Sequence, residues 1–302
     1  MYLDILNSLK ENGIVKIKEN VLMRDYTTMK IGGPADILIE PNSIDQIQKI
    51  INIAKETNTP LTIIGNGSNL LVRDKGIRGI VVVLKDEFSQ ITVNENILTA
   101  QSGATLRSAA IESFEKNLTG MEAVSGIPGT VGGAIIMNAG AYGTEMKDIV
   151  KNVVCIDRDG NIQNFNNEEM DFSYRHSTAS EKDLIVLEVS FELKPGNHEE
   201  IIESFKTYDY KRSSRQPLDK NSAGSTFKRP EGHFASKLID DAGLRGYRVG
   251  SAMVSEKHAG FLINIEASTC ENMLHLIEDV QKRVYDKYNV KLEREVKLIG
   301  EE

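Results

Sequence analysis

The chain has 302 residues, a length that suits two domains of about 150 residues each. Hydrophobic residues make up 40% and charged residues 26%, a globular mix that excludes a disordered tail or a coiled coil. The net charge of −8 argues against broad nucleic-acid binding, because neutralising phosphates takes a basic face.

Tyr2, Leu3, Ile5, Leu6 and Leu9 recur at helical spacing and predict a first helix over Met1 to Leu9, stopped at Asn12-Gly13. Ser43-Ile44-Asp45-Gln46 fits a capping box, with Ile44, Ile47, Ile51 and Ala54 on one helical face after it. β-rich runs predict strands at Leu61 to Ile64, Gly79 to Leu84 and Ile97 to Gln101. A helix follows from Thr105 to Lys116, then a hairpin over Val153 to Gln163 around Asp159-Gly160. Leu184 to Leu193 reads as a strand closed by Lys194-Pro195-Gly196, and a helix runs from His198 to Tyr210. Ser268-Thr269-Cys270-Glu271 is a second capping box, opening a helix with Met273, Ile277, Val280 and Val284 inward. Lys291 to Ile299 reads as a final strand. The irregular alternation predicts an α+β fold with its boundary near Lys194 to Asn197.

The longest apolar runs, such as Ile80 to Leu84, fall far short of the ~20 residues of a membrane span. No basic-then-apolar leader precedes the first periodic segment, so no export signal is expected. Two cysteines, Cys155 and Cys270, make neither a disulfide framework nor a zinc site, which fits a reducing cytoplasm. The five histidines, at 176, 198, 233, 258 and 275, lack metal-ligand spacing, and no metal is expected. Against the acidic whole, Lys206 to Pro230 carries seven basic residues and two acidic ones, a local charge of +5. Such a run can hold an anionic ligand, or it can be a solvated helix end and loop.

The 24 glycines are unevenly spread. Seven lie between Gly120 and Gly143, and a shorter cluster, Gly65-Asn66-Gly67-Ser68-Asn69, directly follows the strand at Leu61 to Ile64. Glycine lets the backbone approach a ligand closely, and successive N–H groups in such turns form an anion-binding nest. Two nests in one domain, interleaved with Ser68, Asn69, Thr130 and Asn138, suit a pyrophosphate gripped from both sides. Neither cluster matches the Gly-x-Gly-x-x-Gly dinucleotide fingerprint or the phosphate loop ending in Gly-Lys-Ser/Thr.

Six ordered motifs span nearly the whole chain. They are Thr28-Met29-Lys30-Ile31-Gly32-Gly33-Pro34-Ala35, Gly65 to Leu71, and Ser125-Gly126-Ile127-Pro128-Gly129-Thr130-Val131-Gly132-Gly133-Ala134. Phe172-Ser173-Tyr174-Arg175, Ala223-Gly224-Ser225-Thr226-Phe227-Lys228 and Glu295-Val296-Lys297-Leu298-Ile299-Gly300 complete the set. In them the chain resembles the UDP-N-acetylenolpyruvoylglucosamine reductase family. The resemblance implies a flavin domain of the vanillyl-alcohol-oxidase (PCMH) type over residues 1–195, with its core at 27–193 and lobes at 1–85 and 86–195. A substrate-binding α+β domain over 196–302 would follow. It further implies non-covalent FAD, NADPH as co-substrate, and reduction of an enolpyruvyl ether to a lactyl ether in cytoplasmic peptidoglycan synthesis. The partner would be a small-molecule substrate only, with no nucleic acid, membrane or obligate protein.

Carried over residue by residue, the resemblance makes Arg175 the cation that stabilises an enolate, Ser225 the proton donor and Glu295 an orienting or relay group. On a strand Glu293 and Glu295 share a face, so alternation alone leaves the choice between them open. Gly65, Asn66, Gly67, Ser68, Asn69, Leu70, Gly126, Ile127, Pro128, Gly129, Thr130, Gly132, Gly133, Ala134 and Asn138 are the expected cofactor contacts. Tyr174, Arg215, Lys228 and Arg229 are the expected substrate contacts. Arg175 and Ser225 are only 50 positions apart, too few for the tyrosine-bearing lobe of longer members, so the chain resembles the shorter subclass. Arg229 stands where longer members often have Asn, and Arg215 where they have Lys. A flavin oxidase using oxygen, or a nucleotide-sugar module without redox chemistry, are the competing readings.

Overall fold

A computed structural model describes residues 2–302. The chain forms two compact units, each of three segments. Unit 1 holds the segment ending at Lys18, Leu38–Asn66 and Gly79–Lys211; unit 2 holds Glu19–Ile37, Gly67–Arg78 and Arg212–Glu302. The sequence places one boundary near Lys194 to Asn197, whereas compactness returns two short early segments to the C-terminal unit. The physical reason is strand pairing: Leu70–Val72 runs parallel to Lys297–Ile299, from Leu70↔Lys297 to Val72↔Ile299.

Unit 1 is built on a five-stranded sheet in the order Ile162–Asn166, Val150–Ile156, Ile185–Glu192, Ile97–Gln101, Ile91–Asn94, antiparallel at each pairing. Residues at period two, Leu98 and Ala100, Val153 and Cys155, Val189 and Phe191, point into one core. The helices Leu106–Glu115 and Val131–Ile136 close that core with Ala109, Ala110, Phe114, Val131, Ala134 and Ile135. Leu61–Ile64 pairs in parallel with Ile77–Val83 elsewhere in the fold, from Leu61↔Ile80 to Ile64↔Val83. The hairpin turn expected at Asp159-Gly160 is held by Asp157, whose carboxylate accepts the N–H groups of Asp159 and Asn161 at 2.9 Å each. Those bonds, that from the Asn161 backbone first, hold the Asp157 carboxyl below the usual range.

Unit 2 contains an antiparallel sheet in the order Asn221–Ser222, Leu262–Asn264, Ala252–Val254, Arg248–Val249. Against it lies the helix Cys270–Tyr288, burying Met273, Leu276, Ile277, Val280 and Val284. Met29, Ile31 and Leu71 enter the same core. Two parts of the Thr28–Ala35 motif bond within this unit: Thr28 Oγ1 donates to Ser222 O at 2.7 Å, and Asn264 Nδ2 donates to Met29 O at 3.0 Å.

The first helix spans Tyr2–Glu11 with Ile5, Leu6 and Leu9 buried; Met1, where it was expected to begin, lies outside the described residues. The helix Ile44–Glu56 has Ser43 as N-cap, but Gln46 Oε1 reaches back to the Asn42 N–H at 3.1 Å rather than to Ser43. The later helix is capped by Thr269, one residue beyond the expected Ser268, with Thr269 Oγ1 accepting the Asn272 N–H at 3.1 Å. The helix from His198 continues to Arg215, five residues past the expected Tyr210, and stops just before Pro217. The expected final strand is regular only over Lys297–Ile299. Both cysteines are buried, and burial pushes each thiol up to about 12.

Candidate active site

In unit 1 the two glycine-rich loops meet. Asn66 Nδ2 donates to Pro128 O at 2.7 Å, and a Cβ built on Gly65 would lie 2.2 Å from Thr130 Oγ1. Only glycine permits that approach. Thr130 is the N-cap of the helix Val131–Ile136, and its Oγ1 accepts the Gly133 N–H at 3.4 Å. The loop is anchored by Leu106 N–H to Gly129 O (3.1 Å), Val131 N–H to Ala104 O (2.7 Å) and Gly132 N–H to Ser102 O (2.8 Å). A Cβ on Gly132 would come within 2.7 Å of Ser102 Cβ. By contrast the N–H groups of Gly65, Asn66, Gly129 and Thr130 take no acceptor among the described residues. Ala134 is turned into the core, and Ile127 packs against it.

At the far end of the same helix stands the turn that carries Arg175. Ser173 and His176 exchange N–H to O bonds of 3.2 Å in both directions, leaving Tyr174 and Arg175 at the tip. Arg175 has φ 58°, a left-handed backbone that side-chain-bearing residues rarely adopt. Its guanidinium lies over the Tyr174 ring, 4.9 Å from the centroid, and Tyr174 is 48% exposed. Asn138, expected among the cofactor contacts, is buried and spends its amide within the protein. Its Nδ2 donates to Ser173 O (3.1 Å) and Glu145 Oε2 (3.0 Å), and its Oδ1 accepts the Lys147 N–H (3.0 Å).

In unit 2 Ser225 is exposed on a segment whose backbone is firmly fixed at the next residue. Thr226 is fully buried; its N–H donates to Gly260 O (2.9 Å) and its Oγ1 accepts the Leu262 N–H (3.2 Å). Its carbonyl accepts the Glu295 N–H at 2.8 Å. Ser225 and Glu295 are thereby brought to one end of a short ladder, continued by the Phe227↔Arg294 bridge. Asn69 joins them, donating through Nδ2 to Glu295 O at 3.3 Å. Glu293 is instead ion-paired with Lys228, an expected substrate contact. Arg215 ends its helix exposed, and Arg229 lays its guanidinium 4.1 Å from the centroid of the Phe234 ring, an exposed aromatic that sequence reasoning missed. No spacing or period signals that stack. Gly67, Ser68, Asn69 and Leu70 lie in unit 2, so the first glycine loop passes from one unit to the other after Asn66.

The model of the UDP-N-acetylenolpyruvoylglucosamine reductase C-terminal domain matches residues 216–299, and that of an FAD binding domain matches residues 35–166. Over 302 residues the chain is 46% identical to the UDP-N-acetylenolpyruvoylglucosamine reductase of Clostridioides difficile (strain 630), covering 100% of this chain and 98% of that one. The chain belongs to the UDP-N-acetylenolpyruvoylglucosamine reductase family. The enzyme of the same name from Clostridium novyi (strain NT) is 47% identical over 287 residues, 95% of this chain and 93% of that one. The crystal structure of UDP-N-acetylenolpyruvylglucosamine reductase from Thermus caldophilus superposes with a TM-score of 0.81 at 34% identity, over 94% of this chain and 99% of that one. A berberine bridge enzyme variant, with a TM-score of 0.53 at 16% identity over 65% of this chain and 44% of that one, shares the fold alone.

The flavin-type fold expected from the resemblance is therefore the fold of this chain. FAD fits the residues present. The joined loops of unit 1 offer four N–H groups without protein acceptors, held together where Gly65 packs against Thr130 and Gly132 against Ser102. That is the donor set an anionic pyrophosphate requires. Among the described residues no group of three or more His, Cys, Asp or Glu side chains is placed to hold a metal ion.

Proposed function

We infer that this chain reduces UDP-N-acetylglucosamine enolpyruvate to UDP-N-acetylmuramate with NADPH, an FAD-dependent oxidoreductase step of peptidoglycan synthesis. The observation that carries the reading is the ladder in unit 2, where Glu295 N–H bonds Thr226 O at 2.8 Å beside Ser225, in the segment matched by the family's C-terminal domain. Bound FAD supplies a two-electron carrier between NADPH and the vinyl carbon of the substrate.

The chain's own residues do the rest. Reducing an enol ether conjugated to a carboxylate builds negative charge on that carboxylate. Arg175 is a fixed planar cation suited to it, held by its left-handed turn and by the Tyr174 ring. Ser225 donates the proton to the adjacent carbon. A serine hydroxyl is a weak acid, so its surroundings must polarise it, and the fixed Thr226 backbone and Glu295 hold it in place for that. Arg215 and Arg229 meet the diphosphate, to which arginine bonds through two N–H groups. Lys228 acts there only by giving up its ion pair with Glu293. Residues 1–195 then serve the flavin and 196–302 the sugar nucleotide. The same reading places the reaction in the cytoplasm, with no nucleic acid, membrane or obligate protein partner.

The deciding experiment is the visible spectrum of the purified protein. Flavin absorbance should bleach with NADPH under anaerobic conditions and return when the enolpyruvyl nucleotide is added. A protein that NADPH leaves oxidised is an oxidase of the same fold, and a colourless protein that takes up no flavin is a binding module.

A further inference from the structure

The turn carrying Arg175 has no regular strand to hold it, yet its carbonyl at Ser173 is bonded by a fully buried side chain 35 positions earlier. Asn138 is 1% exposed and sits at φ 39°, two residues past the helix Val131–Ile136. Its three amide bonds tie Ser173 O, the Glu145 carboxylate and the Lys147 N–H into one knot. The other side of the turn is fastened to the same helix end, where Ser177 Oγ donates to Ile136 O at 3.2 Å. Six helical residues, a rise of roughly 9 Å, thus connect the glycine loop at Thr130 to the mount of Arg175.

We propose that Asn138 is a positioning residue for Arg175, setting the Ser173–His176 turn so that the guanidinium meets the substrate carboxylate, and that it is not a cofactor ligand. The proposal rests on the reading of Arg175 given above. An asparagine suits the task because it can donate twice and accept once in the geometry observed, whereas aspartate could accept from Lys147 but would give Ser173 O nothing. Aspartate would also set a second carboxylate against Glu145. The Arg175 backbone lies in a sparsely populated region, so it persists only while its surroundings over-determine it.

The test compares Asn138→Asp, the double variant Asn138→Asp/Glu145→Gln, and Arg175→Ala, all as holoenzyme. Each is titrated with the enolpyruvyl nucleotide and with UDP-N-acetylglucosamine, which lacks the carboxylate, while FAD affinity and Tm are followed separately. Arg175→Ala should erase the preference for the enolpyruvyl ligand. Asn138→Asp should weaken that ligand about tenfold, the low end for a charge-assisted contact, while FAD and UDP-N-acetylglucosamine bind as before. The double variant removes the carboxylate repulsion and should recover Tm without recovering the preference, because Ser173 O keeps its bond from the His176 N–H but still lacks the side-chain donor at position 138. Recovery of the preference together with Tm, equal weakening of both nucleotides, or loss of FAD with the preference intact each overturns the proposal. If Arg175→Ala itself keeps the preference, the role of Arg175 fails, and the proposal with it.

Discussion

Asp74 accepts the backbone N–H of Cys270 through Oδ1 at 2.8 Å, across 196 positions of sequence. Its Oδ2 accepts the Glu271 N–H at 3.1 Å, so one carboxylate satisfies two of the orphan donors that open the helix Cys270–Tyr288. It also places negative charge at the positive end of the helix. Asp74→Ala removes this cap and should cost about 1 kcal/mol, roughly 2–4 °C in Tm. A thermal melt followed by circular dichroism measures it, and an unchanged Tm means the Thr269 cap suffices alone.

The glycine loops meet too closely for a side chain at Gly65. With a Cβ at 2.2 Å from Thr130 Oγ1, Gly65→Val must drive the two loops apart and disperse the four free N–H groups. The purified variant should lose its yellow colour while retaining folded C-terminal structure by circular dichroism. Full flavin absorbance per protein would show that these loops hold no pyrophosphate.

The basic stretch should divide by the partners its members already have. Arg229→Glu and Arg215→Glu should each raise KM for the sugar nucleotide about 10- to 150-fold, the loss of a charge-assisted phosphate contact of about 1.5–3 kcal/mol. Lys228→Ala should raise it less, because Glu293 already occupies the ammonium. Reduction by NADPH should be largely intact in all three. Equal KM values across the set would locate the diphosphate elsewhere.

Ser225 should matter only when a proton is delivered. Removing an interaction made in the transition state lowers kcat and leaves ground-state affinity less affected. Ser225→Ala should therefore be reduced by NADPH at a near normal rate, yet reoxidise with the enolpyruvyl substrate at least ~100-fold more slowly, the low end for general acid catalysis. Stopped-flow absorbance in the two directions separates the halves. Normal reoxidation of Ser225→Ala excludes this hydroxyl as the donor.

Much of this was legible without a structure. Apolar residues at period 3.6 marked the helices at Ile44–Glu56 and Cys270–Tyr288, because burial of one face imposes that period locally, and a short run ended by Lys194-Pro195-Gly196 marked the strand Ile185–Glu192. The six ordered motifs pointed to the family, since local strings survive in sequence as strings. Boundaries were less legible: the cap fell on Thr269 instead of Ser268, because two neighbouring hydroxyl residues both fit the local pattern.

What only the tertiary structure decided are contacts between residues far apart in the chain. Strand alternation does not distinguish Glu293 from Glu295, and it was the family string that pointed to Glu295; the structure adds that Lys228 pairs with Glu293, while the Glu295 N–H bonds the backbone next to Ser225. Asn138 reads as one more polar residue in a glycine loop until its amide is found on Ser173 and Glu145. Leu70–Val72 belongs with Lys297–Ile299 because their backbones pair in parallel, and parallel pairing has no sequence period linking its partners. The sequence by itself marked the long amphipathic helices, several strands and the two glycine clusters, since those follow from local burial and backbone freedom, but not the short helix Val131–Ile136 inside the second cluster. Which amide holds the turn of Arg175, and which backbone stands beside Ser225, was decided within each unit by long-range hydrogen bonds, whose partners become neighbours only once the chain has closed on itself.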